Sequence, residues 1–301
     1  MRLQRSEAAT RRYAAMSRYE LFVFVEGWTD RAFYSRMCEA LDLEGKYQVK
    51  TAEGLAGSAS GGKPKLLSLF QSLKARNELE DVFQGKRSMY MFFLDKDLDD
   101  WRGTMVTSAH VVYTLYYHME NYLYRHGDLV ASAMAAGAID ANTARQVIGD
   151  PAEWRRGVAL AWQDWVKLCV HAALDGISCR CTYRSPSQIN DPSTGDVDDA
   201  KKNEWSEDLL SKCGCARVDA ERRRDEIAAK VDERYTAGAY DEVFKGAWYA
   251  RYLASQLHAK VAPGARTGLV RALSVAALTG LNFREPWATH LTERIRALTS
   301  S

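Results

Sequence analysis

Four carboxylates stand at two places where this sequence could do chemistry. Glu26 and Asp30 are four residues apart, and Asp95 and Asp97 are two residues apart. Carboxylate oxygens are hard ligands that suit Mg²⁺ or Mn²⁺, and carboxylates packed closely together repel unless they are protonated or neutralised by a cation. Two divalent ions about 4 Å apart can activate a water, stabilise a phosphate and assist the leaving oxygen. The acids therefore predict metal-assisted cleavage of a phosphodiester.

The segments before these acids predict how they are positioned. Residues 21–25 form an apolar run rich in β-branched and aromatic side chains, which is typical of a buried strand, and residues 89–94 form a second such run. The first run ends in Glu26, and the second ends in Asp95. If the two strands are parallel neighbours, their acids meet at the carboxyl edge of the sheet, where ligands bind in open α/β folds.

Helices and strands alternate along the first part of the chain. A helix capped by Thr29 is predicted over residues 30–41, and a strand over 47–50. An amphipathic helix over 66–79 precedes the second acidic strand, and residues 110–113 are predicted to form a fourth strand. Such alternation predicts an α/β fold in which helices flank a parallel sheet.

The pattern changes after about residue 128. Ala-rich and Trp-containing segments replace the strands, so a catalytic domain of residues 1–128 and an α-helical accessory or dimerisation region of residues 129–301 are predicted. A polar stretch over 179–206 predicts a long loop, and residues 218–235 predict a helix of mixed charge. Five residues at helical spacing predict buried core in preference to a surface for base stacking: Trp154, Val158, Trp162, Trp165 and Cys169.

One stretch imitates a nucleotide-binding loop. Gly57 is followed, after four residues, by Gly62 and Lys63, but the next residue is Pro64 where a P-loop needs Ser or Thr. Proline has neither a hydroxyl for Mg²⁺ nor an amide hydrogen, so we exclude a P-loop and predict that Pro64 lies in the first turn of a helix. Lys63 is then either a solvated side chain or a contact for a substrate phosphate.

Composition excludes several classes of protein. The 301 residues are 47% hydrophobic, which is enough for one large domain or two smaller ones, and the formal charge of +2 does not by itself indicate a nucleic-acid binder. No apolar run approaches the roughly 18 residues of a membrane span, and the basic start lacks the apolar core of a secretory signal, which predicts a cytoplasmic protein. Six cysteines, including two Cys-x-Cys pairs, are then reduced thiols, with structural zinc as the alternative.

Four motifs in order resemble one protein family. They are the Glu-Gly after the first strand with Asp30 four residues beyond Glu26, the Asp-Lys-Asp after the second acidic strand, the segment His118-Met119-Glu120-Asn121-Tyr122-Leu123, and Phe244-Lys245-Gly246 before an apolar helix. Together they resemble the TOPRIM nucleases of the OLD-like group, in particular the branch of effector nucleases found in PARIS anti-phage systems. The resemblance covers about the first 125 residues, and the remainder only through the Lys-Gly segment.

The resemblance implies a fold, a site and partners. It implies a TOPRIM-like sheet and a magnesium- or manganese-dependent endonuclease, with two ions held by Glu26, Asp30, Asp95, Asp97 and Glu120. Lys245 would stabilise developing charge, with its amine near a phosphate bound between Glu26 and Asp95. It further implies cleavage of transfer RNA and an ABC-type ATPase partner that restrains the enzyme. We also predict that the active form is a homodimer, because the chain has no evident nucleotide site through which to restrain itself.

Other interpretations remain open from the sequence. One is a DNA-nicking nuclease of the OLD type, and another is a non-catalytic module whose acids bind a single structural ion. A topoisomerase or primase is disfavoured because no zinc-ribbon, winged-helix or polymerase partner domain is visible. Acids at strand ends often only cap helices, and this alternative is strongest for Asp30 and Asp99. His118 is either a general base or, as we favour, a buried partner of the sheet.

Overall fold

The computed structural model describes residues 6–55, 62–191, 194–261 and 263–299. It divides into two compact units. The sheet unit comprises residues 1–95, 106–115 and 282–301, and the helical unit comprises residues 96–105 and 116–281. These units are defined by how the chain packs. The boundary at residue 128, by contrast, divides a predicted catalytic domain from a predicted accessory or dimerisation region, and it stays a prediction.

The sheet unit is built on five described strands in the order β2-β1-β4-β3, with β5 also paired to β4. Pairing is parallel for β1 with β2, β1 with β4 and β4 with β5, so the predicted parallel neighbours are confirmed. Only β3 runs antiparallel, against the first half of β4. The strands are β1 (Leu21–Val25), β2 (Tyr47–Thr51), β3 (Glu80–Phe83), β4 (Lys86–Leu94) and β5 (Val111–Tyr113).

The strand β3 was not predicted. The fourth strand that was predicted, over residues 110–113, is therefore the fifth of the described strands, β5. Gln84 and Gly85 join β3 to β4 with positive φ angles of 51° and 78°. Two consecutive residues of this conformation form the tight turn that suits a hairpin. The pattern of Glu80–Phe83 is half polar and its side chains are largely exposed, so this short strand has no strong hydrophobic signal.

Helices complete both units. In the sheet unit they are α1 (Glu7–Met16), α2 (Trp28–Ala40), α3 (Gly62–Ala75) and α15 (Thr289–Thr299). In the helical unit they are α4 (Asp99–Arg102), α5 (Glu120–His126), α6 (Leu129–Gly137), α7 (Ala141–Ile148), α8 (Pro151–Ala161), α9 (Gln163–Leu174), α10 (Asp199–Ser211), α11 (Arg217–Thr236), α12 (Gly246–Leu257), α13 (Pro263–Arg266) and α14 (Leu269–Thr279). The α/β class and the helical second half are thus as predicted.

Several predicted boundaries are wrong, each for a local reason. Helix α2 starts two residues early and its N-cap is Gly27, not Thr29, because the Asp30 side chain accepts the Gly27 N–H. Helix α3 ends at Ala75, before the unpredicted β3. The predicted loop over 179–206 ends earlier, because Asp198 caps α10 through the Lys201 N–H. Pro64 does lie in the first turn of α3, as predicted, and Gly57 lies outside the described residues.

The core of the sheet unit is an aromatic ladder on one face of the sheet. Phe22, Phe24, Tyr90 and Phe92 alternate across β1 and β4, and their neighbouring rings stack with centroids 5.2–6.1 Å apart. Helix α3 buries its apolar stripe in the same core. Burial of both strands explains their continuous apolar sequence, since neither exposes a face to water.

The helical unit has its own aromatic core. The predicted stripe is buried, with Trp162 and Trp165 at 2% and 0% exposure, although it spans two helices, α8 and α9. Trp248 of α12 packs against Trp162 with ring centroids 5.7 Å apart. The prediction of core for this stripe is confirmed. Within the described ranges, no helix combines the length and apolar character that crossing a membrane requires.

Candidate functional site

Glu26 and Asp95 lie together in the sheet unit. Each is the residue that follows its strand, and β1 and β4 are parallel neighbours with Phe24 opposite Phe92. The backbone N–H of Asp95 donates to Oε1 of Glu26 over 2.9 Å. The two acids predicted to share the carboxyl edge of the sheet are therefore in contact, and Glu26 is held in place by the backbone at the end of β4.

Asp30 has a structural role. Its Oδ2 accepts the Gly27 N–H over 2.8 Å, its Oδ1 accepts the Thr29 hydroxyl over 3.2 Å, and the residue is only 7% exposed. A carboxylate in the first turn also interacts favourably with the helix dipole. Asp30 thus caps α2, as the alternative interpretation of this acid anticipated, and its role as a metal ligand stays a prediction.

The start of α3 lies directly against Glu26. A Cβ at Gly62 would come within 2.9 Å of the Glu26 carbonyl oxygen and 3.0 Å of its Cβ, so only glycine fits this contact. Lys63, the next residue, occupies the first turn of the same helix and is half-buried. Helix N-termini favour anions, so α3 brings both a favourable backbone dipole and a cation to the neighbourhood of Glu26.

In the helical unit, Asp97, His118 and Glu120 form a chain of polar contacts. Nε2 of His118 lies 2.8 Å from Oδ1 of Asp97, and Nδ1 lies 3.4 Å from Oε2 of Glu120. An imidazolium donates from both nitrogens, so a protonated His118 would satisfy both carboxylates. The ring side chain is 19% exposed and lies between two carboxylates of the helical unit, so His118 is not the buried partner of the sheet that we favoured, and its role as a general base stays a prediction.

The environment of Glu120 stabilises its ionised form. Burial raises the pKa of this carboxyl, but the hydrogen bond and charge of His118 and the charge of Lys245 lower it, and the net shift is downward. Glu120 is therefore an anion at neutral pH. It begins helix α5, as predicted, where its charge is also favourable to the helix dipole.

Asn121 joins the two late motif segments within the helical unit. Its Oδ1 accepts the backbone N–H groups of His118 over 3.0 Å and of Gly246 over 3.1 Å, and its Nδ2 donates to the carbonyl of Phe244 over 2.9 Å. The residue is fully buried. This linkage brings the Lys-Gly segment back to Glu120 across 125 residues of sequence.

Lys245 is placed by this linkage. It is the N-cap residue of α12, its charge acts on Glu120, and its Nζ donates to the carbonyl of Tyr183 over 3.1 Å. The return of the Lys-Gly segment to Glu120 is what the prediction for Lys245 requires within this unit. Its reach to a phosphate bound between Glu26 and Asp95 stays a prediction.

Asp241 is a buried charge that the sequence interpretation missed. Its side chain is 2% exposed and lies 2.9 Å from Arg125 and 3.6 Å from Arg155, and it accepts the hydroxyl of Tyr249 over 2.8 Å. Asn121 also donates to it, over 3.2 Å. No local pattern in the sequence predicts that an acid will be buried between two arginines. The one signal that could have drawn attention to Asp241 is its position four residues before Lys245 of the Lys-Gly segment.

A cavity of about 560 Å³ opens beside Asp97 within the helical unit. Arg102 and Arg184 contribute cations to its lining, and Tyr117 and Tyr183 contribute aromatic rings that stack with centroids 4.4 Å apart. Guanidinium groups suit phosphate oxygens because they offer paired donors in one plane. The lining therefore has the chemistry for an anionic ligand that carries planar groups.

Glu26 and Asp95 of the sheet unit, and Asp97 and Glu120 of the helical unit, all offer the carboxylate oxygens that suit a hard divalent cation. Over the ranges that the structure describes, however, no three His, Cys, Asp or Glu side chains are gathered as ligands of a metal ion. Glu26 and Asp97 each give one oxygen to a hydrogen bond, with the Asp95 N–H and with His118. The role of these acids as metal ligands stays a prediction.

The cysteines are free thiols. None of the six, all of which are described, forms a disulfide. The zinc alternative gains no support, because no three metal-ligating side chains gather around the Cys-x-Cys pairs within the described residues. Sγ of Cys213 lies 3.9 Å from Nε2 of His171.

Comparison with known proteins does not identify this chain. No protein-family model matches it, and no curated protein matches it either. The resemblance to TOPRIM nucleases therefore stays an expectation that depends on the motif residues alone.

Proposed function

We propose that this chain is a metal-dependent endonuclease that hydrolyses phosphodiester bonds of RNA, with transfer RNA as the expected substrate. The observation that carries the proposal is the contact of Asn121 with Gly246, which links Glu120 and Lys245 across 125 residues. Two segments that resemble motifs of one nuclease family are adjacent in space although they are distant in sequence. Acids that merely cap helices would not require this pairing.

In this proposal the carboxylates would hold the metal ion, and neighbouring groups orient them. Glu26, Asp95, Asp97 and Glu120 are the side chains that would hold Mg²⁺ or Mn²⁺, with Asp30 as a further candidate that must give up its cap to take part. A bound divalent ion would supply Lewis-acid stabilisation and a nucleophilic water of lowered pKa. The backbone of Asp95 orients Glu26, and His118 orients Asp97 and Glu120 through its two ring nitrogens.

Cationic side chains would balance the charge that develops on the phosphate. Lys245 is the residue for which the motif implies this task. Its ammonium group is already held near a carboxylate, so it could stabilise the phosphate charge without a large rearrangement of the protein. Lys63 and the N-terminus of α3 adjoin Glu26 and would attract a phosphate by the same charge. Arg102 and Arg184 line the cavity beside Asp97 and suit a phosphate further along the substrate.

Restraint by a partner belongs to the same proposal. We propose a homodimer as the active form and an ABC-type ATPase that holds the chain inactive. The surface of α11 offers a place for docking, although several of its arginines already have partners within the chain, such as Arg217 with Glu207 and Arg223 with Asp175. Val218 on this helix is 74% exposed and supplies an apolar contact.

A direct assay tests the activity. The purified chain is incubated with Mg²⁺, labelled transfer RNA and supercoiled plasmid, with a chelator and the Glu26→Gln variant as controls. We expect cleavage of the RNA that needs both the ion and Glu26. Nicking of the plasmid alone would favour the DNA nuclease, and strong Mn²⁺ binding without cleavage of either substrate would favour the non-catalytic module.

A further inference from the structure

A second cavity, of about 320 Å³, lies within the sheet unit at the edge strand β2. It is bounded by α1, by the start of α2 and by the residues that follow β2, so it opens near the carboxyl ends of β1 and β2. Its volume is at the lower end of the range for small-molecule sites, about 300–1,000 Å³. The cavity has room for one planar ring system of modest size.

The walls of this cavity are aromatic. Phe22 and Phe24 form its buried floor, Tyr13 lines one side, and Trp28 lines the cavity while remaining 42% exposed. A tryptophan this exposed is unusual for a structural residue, and it stands only two residues after Glu26. The aromatic lining therefore offers π-faces to a ligand close in sequence to the proposed catalytic acid.

Cations lie against two of these rings. The guanidinium of Arg31 is 5.6 Å from the ring centroid of Trp28, and Nζ of Lys50 is 4.3 Å from that of Tyr13. Among the described residues of the lining the only acid is Glu53, which accepts the indole N–H of Trp28, so the charged residues of this part carry a net charge of one positive. Aromatic rings interleaved with cations are typical of sites that bind single-stranded nucleic acid.

One polar atom of the lining lacks a partner. Oε1 of Gln48, on β2, is buried and makes no hydrogen bond to any described residue. A buried acceptor without a donor costs free energy, which a ligand with an N–H group would recover when the Gln48 side chain turns its oxygen towards the cavity. The amino and imino groups of nucleobases are donors of this kind.

We propose that this cavity binds the base of one unpaired nucleotide of the substrate, stacked on Trp28 with its edge towards Gln48 and its phosphates near Arg31 and Lys50. The inference depends on the proposed function, because it specifies how a single-stranded segment is held beside Glu26. It favours substrates with an unstacked nucleotide, such as a loop or a single strand, over a continuous duplex, in which the base is not accessible.

Binding without cleavage tests the inference separately from the enzyme activity. Glu26→Gln protein and the same protein carrying Trp28→Ala are titrated with a labelled single-stranded oligonucleotide, in ribose and deoxyribose forms, and with a duplex. Loss of one base-stacking contact weakens binding about 5- to 150-fold. We expect that loss for Trp28→Ala on single strands and near-complete recovery for Trp28→Phe. Phe83→Ala, which removes a 45% exposed aromatic outside the cavity, should have no effect.

A second measurement uses the unaltered pocket. A 4-thiouridine oligonucleotide is crosslinked by light to the full chain, and the labelled peptides are identified by mass spectrometry. Crosslinks to the peptides of Tyr13 or Trp28 support the proposal. Unchanged affinity of a folded Trp28→Ala protein, crosslinks confined to the helical unit, or no binding of any oligonucleotide would overturn it. If the pocket binds the base and no cleavage occurs, the inference stands and the proposed activity fails.

Discussion

The side-chain oxygen of Asn121 accepts the backbone N–H of Gly246 over 3.1 Å, and this contact joins two segments 125 residues apart. The same side chain also bonds the backbone of His118 and Phe244. One buried amide thus sets the position of Glu120 and Lys245 relative to each other. The first two predictions concern the two ends of this contact.

Replacement of Asn121 by alanine should destabilise the helical unit. The substitution removes the acceptor oxygen and the donor nitrogen of a fully buried side chain. It leaves the N–H of Gly246 and the carbonyl of Phe244 without their partner. We expect a loss of roughly 2–4 kcal/mol in the free energy of unfolding, measured by denaturant titration. Asn142→Ala, at an exposed position of α7, is the matched control and should change little. Equal stability of the two variants would show that the amide does not hold the segments together.

A methyl group at Gly246 should be as damaging as loss of the amide. A Cβ there would lie 2.2 Å from the Asn121 nitrogen and 2.5 Å from the Glu120 carbonyl carbon, which are backbone atoms that cannot turn aside. We expect Gly246→Ala to cost at least about 2 kcal/mol in thermal or denaturant unfolding, as overpacking of a tight core does. Gly157→Ala meets no atom within 4 Å and lies inside α8, so it should raise stability by about 0.5–1 kcal/mol. We therefore expect the free energy of unfolding to fall for Gly246→Ala and to rise for Gly157→Ala.

Charge and hydrogen bonding can be separated at Glu26. Gln keeps an oxygen that can accept the Asp95 N–H, whereas alanine removes it, so Glu26→Gln should fold like the natural chain. Both variants should lose cleavage by at least about 100-fold, since even residues that only orient a metal ligand cost 10- to 100-fold when removed. Glu44→Gln, on an exposed turn, should retain full activity. Cleavage by Glu26→Gln at the natural rate would remove Glu26 from the site.

Stability should depend on pH through His126. Burial and then the charges of Arg125 and Arg155 lower the pKa of this imidazole to about 4. The unfolded chain takes up the proton near pH 6.5, so between about pH 6.5 and 4 the unfolded state binds more protons and stability falls as the pH falls. Over this window the natural chain should lose more stability than His126→Gln, by an amount on the order of 1–2 kcal/mol, because solvent screens the charges around this half-buried ring. Parallel unfolding curves for the two proteins would contradict the assignment.

Activity should depend on protein concentration if the active form is a homodimer. Sedimentation of the isolated chain, with cleavage measured over the same concentrations, should show specific activity rising with the dimer fraction. Full activity from a strict monomer would refute this prediction. If the chain is toxic when expressed alone, co-expression with the ABC-type ATPase partner that we propose should suppress that toxicity, and unchanged toxicity would remove the partner from the proposal.

Local patterns in the sequence determined the elements and the acids that end them. The apolar runs of β1 and β4 are continuous because both faces are buried, and each is followed by an acid, so the meeting of Glu26 with Asp95 was predictable. The tryptophan stripe was likewise readable as core, because its spacing follows the turn of a helix. These features depend on residues that are near neighbours along the chain.

Only the tertiary structure decided which distant groups meet. The Asp30 carboxylate accepts a hydrogen bond that caps α2. The Lys-Gly segment returns to Glu120 through Asn121, and Asp241 is buried between two arginines. The strand β3 exists because a tight turn folds it back on β4, although its own pattern is weak. Hydrogen bonds and ion pairs of this kind form between chemically common side chains, so periodicity and spacing along the chain do not specify their partners.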